Sequence, residues 1–465
     1  MSSRIILCAD IGTSSLKAAF IDTDGHPHGF TREAYGPGPV RAADWERALA
    51  LALGVLFSQA RHCTPDAICI SGNGPTLVPL THEGETLAPL HWYQGPLGST
   101  APQKDGSPGV RSFFLPHVQR FIRECPGDYE KTRYLFSAQE WLSWRLGADP
   151  VTALPASYEP YYWDDAQCES LGLDRLKFPP FVGLGTVIGR LSPDAVRRLS
   201  SLAGGLPEER FPVGIPIIAG GADFIMALIG TGAVEPGMVC DRAGTSEGIN
   251  LCAEANVPRL PGELRVLPHV SPGLRNVSVI IPSSGRLFEW YRTLTGQEQR
   301  LYDDTLAELI PEGVLRPDLL FFPENNPILI GRPGLFNRVE LGQAVLLSLG
   351  FTVRTAIDTL DRNGFPVAEL RLSGGQGKSR RWNQLKADLT GLPLLAPELR
   401  DGELGGDAVL GAVALGEAAD LKEGIARVVH IQERYIPRAA ALYGERFQAY
   451  REQQKRIGAA FHEVL

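Results

Sequence analysis

The sequence has little that would place it in a membrane, on nucleic acid or outside the cell. No apolar run reaches the 18 or so residues of a membrane-spanning helix, and the amino-terminal segment lacks the long apolar stretch of a signal peptide. The formal net charge of −8 argues against a surface for nucleic acid or anionic lipid. We therefore expect a cytoplasmic protein with no nucleic-acid or membrane partner, in which any bound polyanion is held locally.

Cysteines are few, and their spacing shows no pairing pattern. The seven cysteines are an odd number without a C-x-x-C pair, which argues against a disulfide framework and against a zinc site. Most are expected to be small buried hydrophobic residues. Hydrophobic residues make up 44% of the 465 positions and charged residues 21%, which are ordinary values for a globular protein and exclude a disordered or coiled-coil chain.

The chain opens with a predicted β-hairpin. Residues 5–9 and 16–22 predict strands, and a Gly-Thr-Ser turn at residues 12–14 lies between them. Glycine and hydroxyl residues in a tight turn direct backbone N–H groups and side-chain O–H groups toward one point, which suits phosphate oxygens. Asp10, just before the turn, is suited to hold Mg²⁺ directly or through water.

The same pattern returns near the middle of the chain. Residues 237–251 predict a second hairpin, and its Gly-Thr-Ser turn at residues 244–246 lies 232 residues after the first, close to half the length. A three-residue match is weak evidence of a repeat by itself, but the matching hairpin and the spacing strengthen it. We therefore expect two similar domains, 1–235 and 236–465, although length alone suggests about three. Two such turns facing each other could hold one polyphosphate.

A candidate base follows a predicted strand at residues 215–219. The strand runs into Gly220 and Gly221, then Asp223, and a helix is predicted to begin at Phe224. In α/β proteins the carboxyl ends of strands are where reactions take place. Phosphoryl transfer needs an aligned hydroxyl and late acceptance of one proton, which a carboxylate can supply. Asp223 as an N-cap of the helix is the alternative and is compatible with that role.

A third glycine-rich segment, residues 373–379, lies between a predicted strand and a predicted helix. It lacks the spacing of a P-loop, so we assign it to adenine and ribose; a close packing turn is the alternative. Further helices are predicted over residues 45–61, 112–124, 139–146, 287–294, 342–361, 379–389 and 439–463, and a surface loop over residues 96–109.

Taken in order, these motifs resemble the FGGY carbohydrate kinases, most closely the xylulokinase-like branch. The resemblance implies an α/β fold of two actin-like ATPase (ribonuclease-H-like) domains with an interdomain cleft. It also implies an ATP-dependent kinase that transfers the γ-phosphoryl group of MgATP to a hydroxyl of a sugar, ketose or polyol. A homodimer is a further expectation from the family.

The resemblance assigns roles residue by residue. Asp223 matches the catalytic base and Asp10 the magnesium-linked acid. The positions that match ATP-binding residues are Gly12, Thr13, Ser14, Lys17, Gly244, Thr245, Ser246, Gly285, Gly374, Gly375, Gln376, Ser379 and Asn383. The positions on the sugar side are Asn73, Gly74, Trp92, Gln94, Asp223 and Phe224.

The departures from the family pattern lie on the sugar side. A Gln-Met-His-Gly loop is replaced here by residues 72–75, Gly-Asn-Gly-Pro, and a Trp-Asn-Asp segment by Trp92, Tyr93 and Gln94. A site that loses polar groups rejects the sugar that those groups bound, so xylulose itself is in question. A catalytically weak sugar- or nucleotide-binding sensor is the alternative function, and the presence of Asp223 favours catalysis.

Overall fold

The computed structural model describes residues 3–91, 112–257, 260, 262–311, 313–315, 317, 319–323, 328–331 and 337–462. The chain forms two compact units, and each is built from two stretches of sequence. The first unit comprises Met1–Gly232 and Gly402–His430, and the second comprises Ala233–Asp401 and Ile431–Leu465. The predicted domain boundary at residue 235 lies close to Gly232, where the chain first passes from the first unit to the second. The prediction does not include the return of residues 402–430 to the first unit.

The strands are β1 (Ile5–Ile11), β2 (Ser15–Asp22), β3 (Pro27–Ala34), β4 (Ala67–Gly72), β5 (Val78–Thr81), β6 (Thr132–Phe136), β7 (Thr152–Ala153), β8 (Phe181–Val182), β9 (Val187–Arg190), β10 (Pro216–Ala222), β11 (Val239–Ala243), β12 (Glu247–Ala253), β13 (Arg265–Pro268), β14 (Arg275–Ile281), β15 (Leu320–Phe322), β16 (Ile328–Ile330), β17 (Leu370–Ser373), β18 (Leu394–Pro397) and β19 (Ile431–Tyr435).

The α-helices are α1 (Ala42–Gln59), α2 (Leu115–Glu124), α3 (Pro126–Lys131), α4 (Ala138–Leu146), α5 (Asp165–Ser170), α6 (Pro193–Ala203), α7 (Asp223–Gly230), α8 (Ser284–Leu294), α9 (Tyr302–Leu309), α10 (Arg338–Arg362), α11 (Arg380–Thr390), α12 (Gly402–Ala414), α13 (Leu421–Val428) and α14 (Ala440–His462). The predicted helices all occur, with ends shifted by a few residues. The predicted loop at residues 96–109 lies outside the described residues.

A six-stranded sheet forms the centre of the first unit, in the order β3-β2-β1-β4-β10-β9. The pairs β1–β2, β2–β3 and β9–β10 are antiparallel, whereas β4 runs parallel to both β1 and β10. The parallel strands read as continuous apolar runs because both faces of the sheet are covered. Their carboxyl ends lie at one edge, which is the edge that carries the candidate site.

The second unit repeats this arrangement. Its sheet has the order β13-β14-β12-β11-β17-β18-β19, with antiparallel pairs β11–β12, β12–β14 and β18–β19 and parallel pairs β11–β17 and β17–β18. Apart from the additional edge strand β13, the order and directions of the strands match those of the first sheet. The two Gly-Thr-Ser turns occupy equivalent places, so the repeat inferred from three residues extends over whole sheets.

Helix α12 is packed closely against α7 in the first unit. A Cβ atom at Gly406 would overlap the Met226 carbonyl, and one at Gly230 would overlap the Gly402 carbonyl. Only glycine permits such a close approach of two helix backbones. This crossing joins the returning segment to the helix that begins with Asp223.

All seven cysteines are free and all but Cys125 are buried, as expected for most of them. Within the described part of the chain, none of the helices combines the length and the apolar character needed to cross a bilayer.

Candidate active site

The first Gly-Thr-Ser turn connects β1 to β2. The Gly12 N–H donates to the Ser15 carbonyl over 3.0 Å, which closes the turn and leaves Thr13 and Ser14 exposed. Arg32 on β3 is also at this turn: its Nε donates to Ser15 Oγ over 2.7 Å and its Nη2 approaches Ser14 Oγ at 3.5 Å. The turn therefore offers hydroxyl groups and a neighbouring cation.

Asp10 and Lys17 face each other across the hairpin in register. Lys17 Nζ lies 3.3 Å from Asp10 Oδ2 and 3.5 Å from Glu403 Oε2 on α12. Asp10 is only 2% exposed. Lys17 thus links two carboxylates, so its charge is already compensated within the first unit.

A third carboxylate lies behind this group. Asp407 on α12 is fully buried; its Oδ2 accepts from Ser71 Oγ over 3.1 Å and its Oδ1 from Cys69 Sγ over 3.5 Å. Ser71 Oγ also lies 3.3 Å from Asp10 Oδ1, so it connects the two carboxyl groups. Burial, and then the Asp10 carboxylate, raise the pKa of Asp407 well above its usual value.

These side chains fit a magnesium ion. Mg²⁺ takes oxygen ligands, keeps several waters and needs few carboxylates. Asp10 and Glu403 contact one ammonium group, Lys17, and Asp407 lies close enough to both carboxylates for them to add to burial in raising its pKa, so these four side chains comprise three acidic groups and one basic group. A divalent cation held by Asp10, directly or through water, would balance the excess of acid beside the turn.

Asp223 occupies the end of β10 and is the first residue of α7. The preceding residue, Ala222, has the extended backbone of an N-cap, so the structure does not support Asp223 itself as the N-cap. Asp223 is half-buried, and its Oδ1 accepts the Phe224 N–H over 2.7 Å. The amino terminus of a helix favours a negative charge at this position.

The glycines before Asp223 serve packing. A Cβ at Gly220 would overlap the Ile70 carbonyl of β4, and a Cβ at Gly221 would lie 3.1 Å from the Leu184 side chain. These glycines therefore let neighbouring backbone and side chains approach β10 closely.

The predicted sugar-side residues lie near Asp223 where they are described. Asn73 is buried, its Oδ1 accepts from Thr76 Oγ1 over 2.8 Å, and a Cβ at Gly74 would lie 3.9 Å from Ala222. Phe224 packs against Tyr158, with ring centroids 6.0 Å apart. Trp92 and Gln94 lie outside the described residues.

Gln139 places a buried side-chain amide oxygen in the same region of the first unit. Its Oε1 is buried with no hydrogen-bond partner among the described residues, and a Cβ at Gly72 would lie 3.0 Å from it. Buried amide oxygens are normally satisfied. Tyr162 lies in the same region: burial, and then the Glu140, Tyr158 and Asp223 side chains, raise the pKa of its hydroxyl, which therefore stays protonated.

In the second unit, the second Gly-Thr-Ser turn is covered by two other predicted ATP-binding residues. A Cβ at Gly285 would overlap the Gly244 carbonyl and lie 3.2 Å from Thr245 Cα, so only glycine fits there. Gln376 Nε2 donates to the Gly244 carbonyl over 3.2 Å and to Ser284 Oγ over 3.0 Å. The structure thus brings Gly244, Thr245, Gly285 and Gln376 together.

The third glycine-rich segment, residues 373–379, packs against the residue before the same turn. Gly374 has φ of +94°, and a Cβ there would overlap the Ala243 carbonyl. Asn383 is buried and donates from Nδ2 to the Gly377 carbonyl over 2.8 Å. Ser379 Oγ is buried with no hydrogen-bond partner in the described part of the chain. Gly375 is exposed, so the backbone of this segment is accessible at that position.

Comparisons with known proteins agree with this arrangement. The model of the FGGY family of carbohydrate kinases, C-terminal domain, matches residues 242–415. An autoinducer-2 kinase of Yersinia enterocolitica is 24% identical over 360 residues, which cover 70% of this chain and 65% of that protein. Residues 242–415 therefore resemble the C-terminal domain of the FGGY carbohydrate kinases. The chain spans slightly less than two thirds of the length of that relative.

Solved structures of FGGY kinases share the fold. A gluconate kinase from Lactobacillus acidophilus matches with a TM-score of 0.78 at 18% identity, covering 100% of both chains. A xylulose kinase from Rhodospirillum rubrum matches with a TM-score of 0.74 at 19% identity, covering 99% of this chain and 100% of that one. The predicted α/β fold of two actin-like domains is confirmed.

The FGGY motifs did not reveal every residue at these sites. Arg32, Gln139 and Asp407 carry no local pattern, because each reaches its place only through the fold. The same is true of Lys386, which is buried between Asp241 and Glu247 beneath the second turn. Burial acts to raise the pKa of Glu247, but the Lys386 ammonium group and the hydrogen bonds from Asp241, Lys386 and Ser284 together outweigh it and lower that pKa. This ion group joins α11 to the hairpin of β11 and β12.

Proposed function

We propose that this chain is an ATP-dependent carbohydrate kinase that transfers the γ-phosphoryl group of MgATP to a hydroxyl of a sugar, ketose or polyol. The observation that carries the proposal is the placement of Asp223. It is the first residue of α7 and follows β10, next to the Asn73–Gly74 loop. The unit that contains it also holds the Gly-Thr-Ser turn with Asp10 and Arg32 beside it.

In this proposal Asp223 orients the acceptor hydroxyl. A carboxylate with an ordinary pKa of about 4 does not deprotonate a free alcohol. It accepts a hydrogen bond from the hydroxyl and takes the proton late, as the oxygen forms its bond to phosphorus and the bond to the leaving ADP breaks. The Phe224 N–H donates to Asp223 Oδ1, which helps to fix the orientation of the carboxylate.

The donor would be held mainly by turns. We assign phosphate oxygens to the residue 12–14 turn with Arg32 in the first unit and to the residue 244–246 turn in the second. The segment around Gly374, Gly375 and Ser379 is assigned to adenosine. When bound near Asp10, Mg²⁺ would neutralise charge on the phosphates. Backbone turns, a cation and Mg²⁺ hold a polyanion without a basic surface.

The acceptor site combines apolar and polar groups. Phe224, whose ring packs edge-to-face against the buried Tyr158 ring, offers an apolar surface, whereas Asn73 and Gln139 offer amide groups. Trp92 and Gln94 remain predicted members of the site. The relatives carry the names autoinducer-2, gluconate and xylulose kinase, so we propose a small polyhydroxylated acceptor of that range, with xylulose as one member.

The test is an ADP-release assay over pentuloses, hexuloses, aldonates, polyols and autoinducer-2. We expect turnover with at least one acceptor and a loss of kcat of about 10²- to 10⁴-fold in Asp223→Asn. Asp194→Asn is the matched control, because Asp194 also lies in the first turn of a helix of the first unit but is exposed. It should behave as wild type.

A chain that binds ATP and a sugar but turns over none of the acceptors would contradict the kinase and would favour the sensor. Equal activity of Asp223→Asn and wild type would show that Asp223 is not the base.

The free cysteines support a reducing compartment, so we also propose a cytoplasmic location. The homodimer stays a prediction of the resemblance.

A further inference from the structure

A second cluster of reactive side chains lies in the first unit, away from the candidate active site. One ligand atom each from His28, His62 and Cys63 lie within 4.8 Å of one another. His28 is on β3, and the other two follow the end of α1. Nitrogen and sulfur ligands of this kind suit Zn²⁺ and related transition metals and do not suit Mg²⁺.

The spacing is close to that of a tetrahedral site. Metal–ligand bonds of about 2.0 to 2.3 Å place tetrahedral ligand atoms roughly 3.3 to 3.8 Å apart. The three atoms must therefore approach by about 1 Å. His62 is exposed on a turn, so rotation of its ring can supply this movement without a change in the fold.

His28 has the hydrogen-bond partner that a metal-binding histidine usually has. Its Nε2 lies 2.9 Å from Asp22 Oδ2, and Asp22 Oδ1 in turn accepts the backbone N–H groups of Asp24 and His26 at 3.0 and 2.9 Å. A carboxylate fixed in this way orients the ring and leaves Nδ1 as the ligand atom.

Cys63 is held in place from the other side. Arg210 Nη2 donates to the carbonyls of Ala60, over 2.6 Å, and of Cys63, over 3.3 Å, which fixes the backbone after α1. Cys63 is 2% exposed. Burial raises the pKa of its thiol, and Arg210 opposes that effect.

We propose that His28, His62 and Cys63 form a binding site for a transition-metal ion, with Zn²⁺ as the preferred occupant and water as the fourth ligand. On binding, the thiol gives its proton to solvent and the metal binds the thiolate. The ion would join the hairpin of β2 and β3 to the end of α1. Asp22 lies at the opposite end of β2 from the Gly-Thr-Ser turn, roughly 23 Å along the strand, so the site is separate from phosphate binding.

The test is titration of the chelator-treated full chain with Co²⁺, followed by displacement with Zn²⁺. We expect one equivalent of Co²⁺ with the visible spectrum of a tetrahedral ion and a sulfur-to-cobalt charge-transfer band, both lost when Zn²⁺ is added. Zn²⁺ should also raise the melting temperature of the wild type. His62→Ala and Cys63→Ser should each lower the affinity at least about tenfold, and Cys63→Ser should also remove the charge-transfer band.

Matched controls separate this site from non-specific binding. Cys125→Ser removes an exposed free thiol and His82→Ala removes an exposed imidazole, and both should bind as wild type does. Because His62 is exposed, its variant keeps the test valid if Cys63→Ser is poorly folded. A wild type without the charge-transfer band, or binding unchanged in His62→Ala, would overturn the proposal. Neither result bears on Asp223, because the readout is independent of kinase activity.

Discussion

Arg32 and Lys17 are both cations beside the first Gly-Thr-Ser turn, but their surroundings differ. Lys17, which the family motif predicts as an ATP-binding residue, lies between the carboxylates of Asp10 and Glu403. Arg32 is exposed and contacts the hydroxyls of Ser14 and Ser15. A guanidinium group that is not surrounded by carboxylates attracts phosphate more strongly, because less of its field is compensated.

We therefore predict that Arg32→Ala raises KM for MgATP roughly tenfold, equivalent to about 1.4 kcal/mol, with a small effect on kcat. Steady-state kinetics at saturating acceptor measure both constants. Arg47→Ala removes another exposed arginine of the same unit, one that pairs with Asp44, and should leave KM unchanged. An equal effect of the two substitutions would mean that Arg32 acts only through net charge.

His269 in the second unit is fully buried with both ring nitrogens engaged. Nε2 lies 3.1 Å from the Ala233 carbonyl and Nδ1 accepts the Ser271 N–H over 3.0 Å. This pattern needs the neutral ring with its proton on Nε2. Burial lowers the pKa of His269 to about 4, although the hydrogen bond to Ala233 acts in the opposite direction.

Because the folded-state pKa lies below the unfolded value of about 6.5, the unfolded chain takes up a proton first as the pH falls. We predict that His269 reduces stability by up to about 3 kcal/mol between roughly pH 6.5 and pH 4. Urea unfolding across this range should show a shallower pH dependence in His269→Gln than in wild type. His82→Gln, at an exposed position, should keep the wild-type slope, and equal slopes in all three proteins would contradict the assignment.

At the level of elements, the crossing of α7 and α12 depends on glycine. A Cβ at Gly406 would overlap the Met226 carbonyl, so Gly406→Ala must separate the two helices. We predict a loss of about 1 to 3 kcal/mol in the free energy of unfolding. A fall in kcat should accompany it, because α7 carries Asp223. Thermal unfolding and the ADP-release assay measure the two effects.

Gly54 provides the matched control for this prediction. It also lies inside a helix, α1, but a Cβ there would have nothing within 4 Å. Gly54→Ala should therefore stabilise the protein by about 0.4 to 1 kcal/mol and leave kcat unchanged. A Gly406→Ala protein as stable and active as Gly54→Ala would show that the crossing tolerates a methyl group.

The sequence was sufficient to predict the hairpins, the strand before Asp223 and the helices. Short apolar runs between glycine-rich turns identify strands locally, so β1, β2, β11 and β12 were found near their observed bounds. The role of Gly220 was not found, because the Ile70 carbonyl that it approaches belongs to a strand far away in the sequence. The zinc-type cluster was missed for the same reason: His28 is more than 30 residues from Cys63, and no spacing pattern links them.

For the molecule as a whole, the repeat was predictable and the chain path was not. Two Gly-Thr-Ser turns indicated two similar halves, and the sheets have matching strand orders and directions. Residues 402–430 are apolar enough to complete either unit, so composition could not assign them. The structure places them in the first unit, where α12 contributes a run of buried residues from Gly402 to Ala412.

This path predicts that residues 1–232 do not fold alone. Without α12, the chain leaves β1, β4 and α7 uncovered, and each large apolar side chain that loses its burial costs about 1.5 to 3 kcal/mol. A few such losses equal the whole stability of a typical domain. Residues 1–232 should therefore show no cooperative urea transition by circular dichroism.

Joining residues 402–430 to residue 232 should restore that transition. The linker can be short, because a Cβ at Gly230 would overlap the Gly402 carbonyl, so the two chain ends meet. Residues 1–232 joined to a shuffled 402–430 sequence are the matched control. This polypeptide should stay unfolded, because its composition is unchanged but its glycines no longer lie where α12 packs against α7. If residues 1–232 alone unfolded with the same midpoint as the joined polypeptide, the returning segment would be dispensable and the first unit would be complete without it.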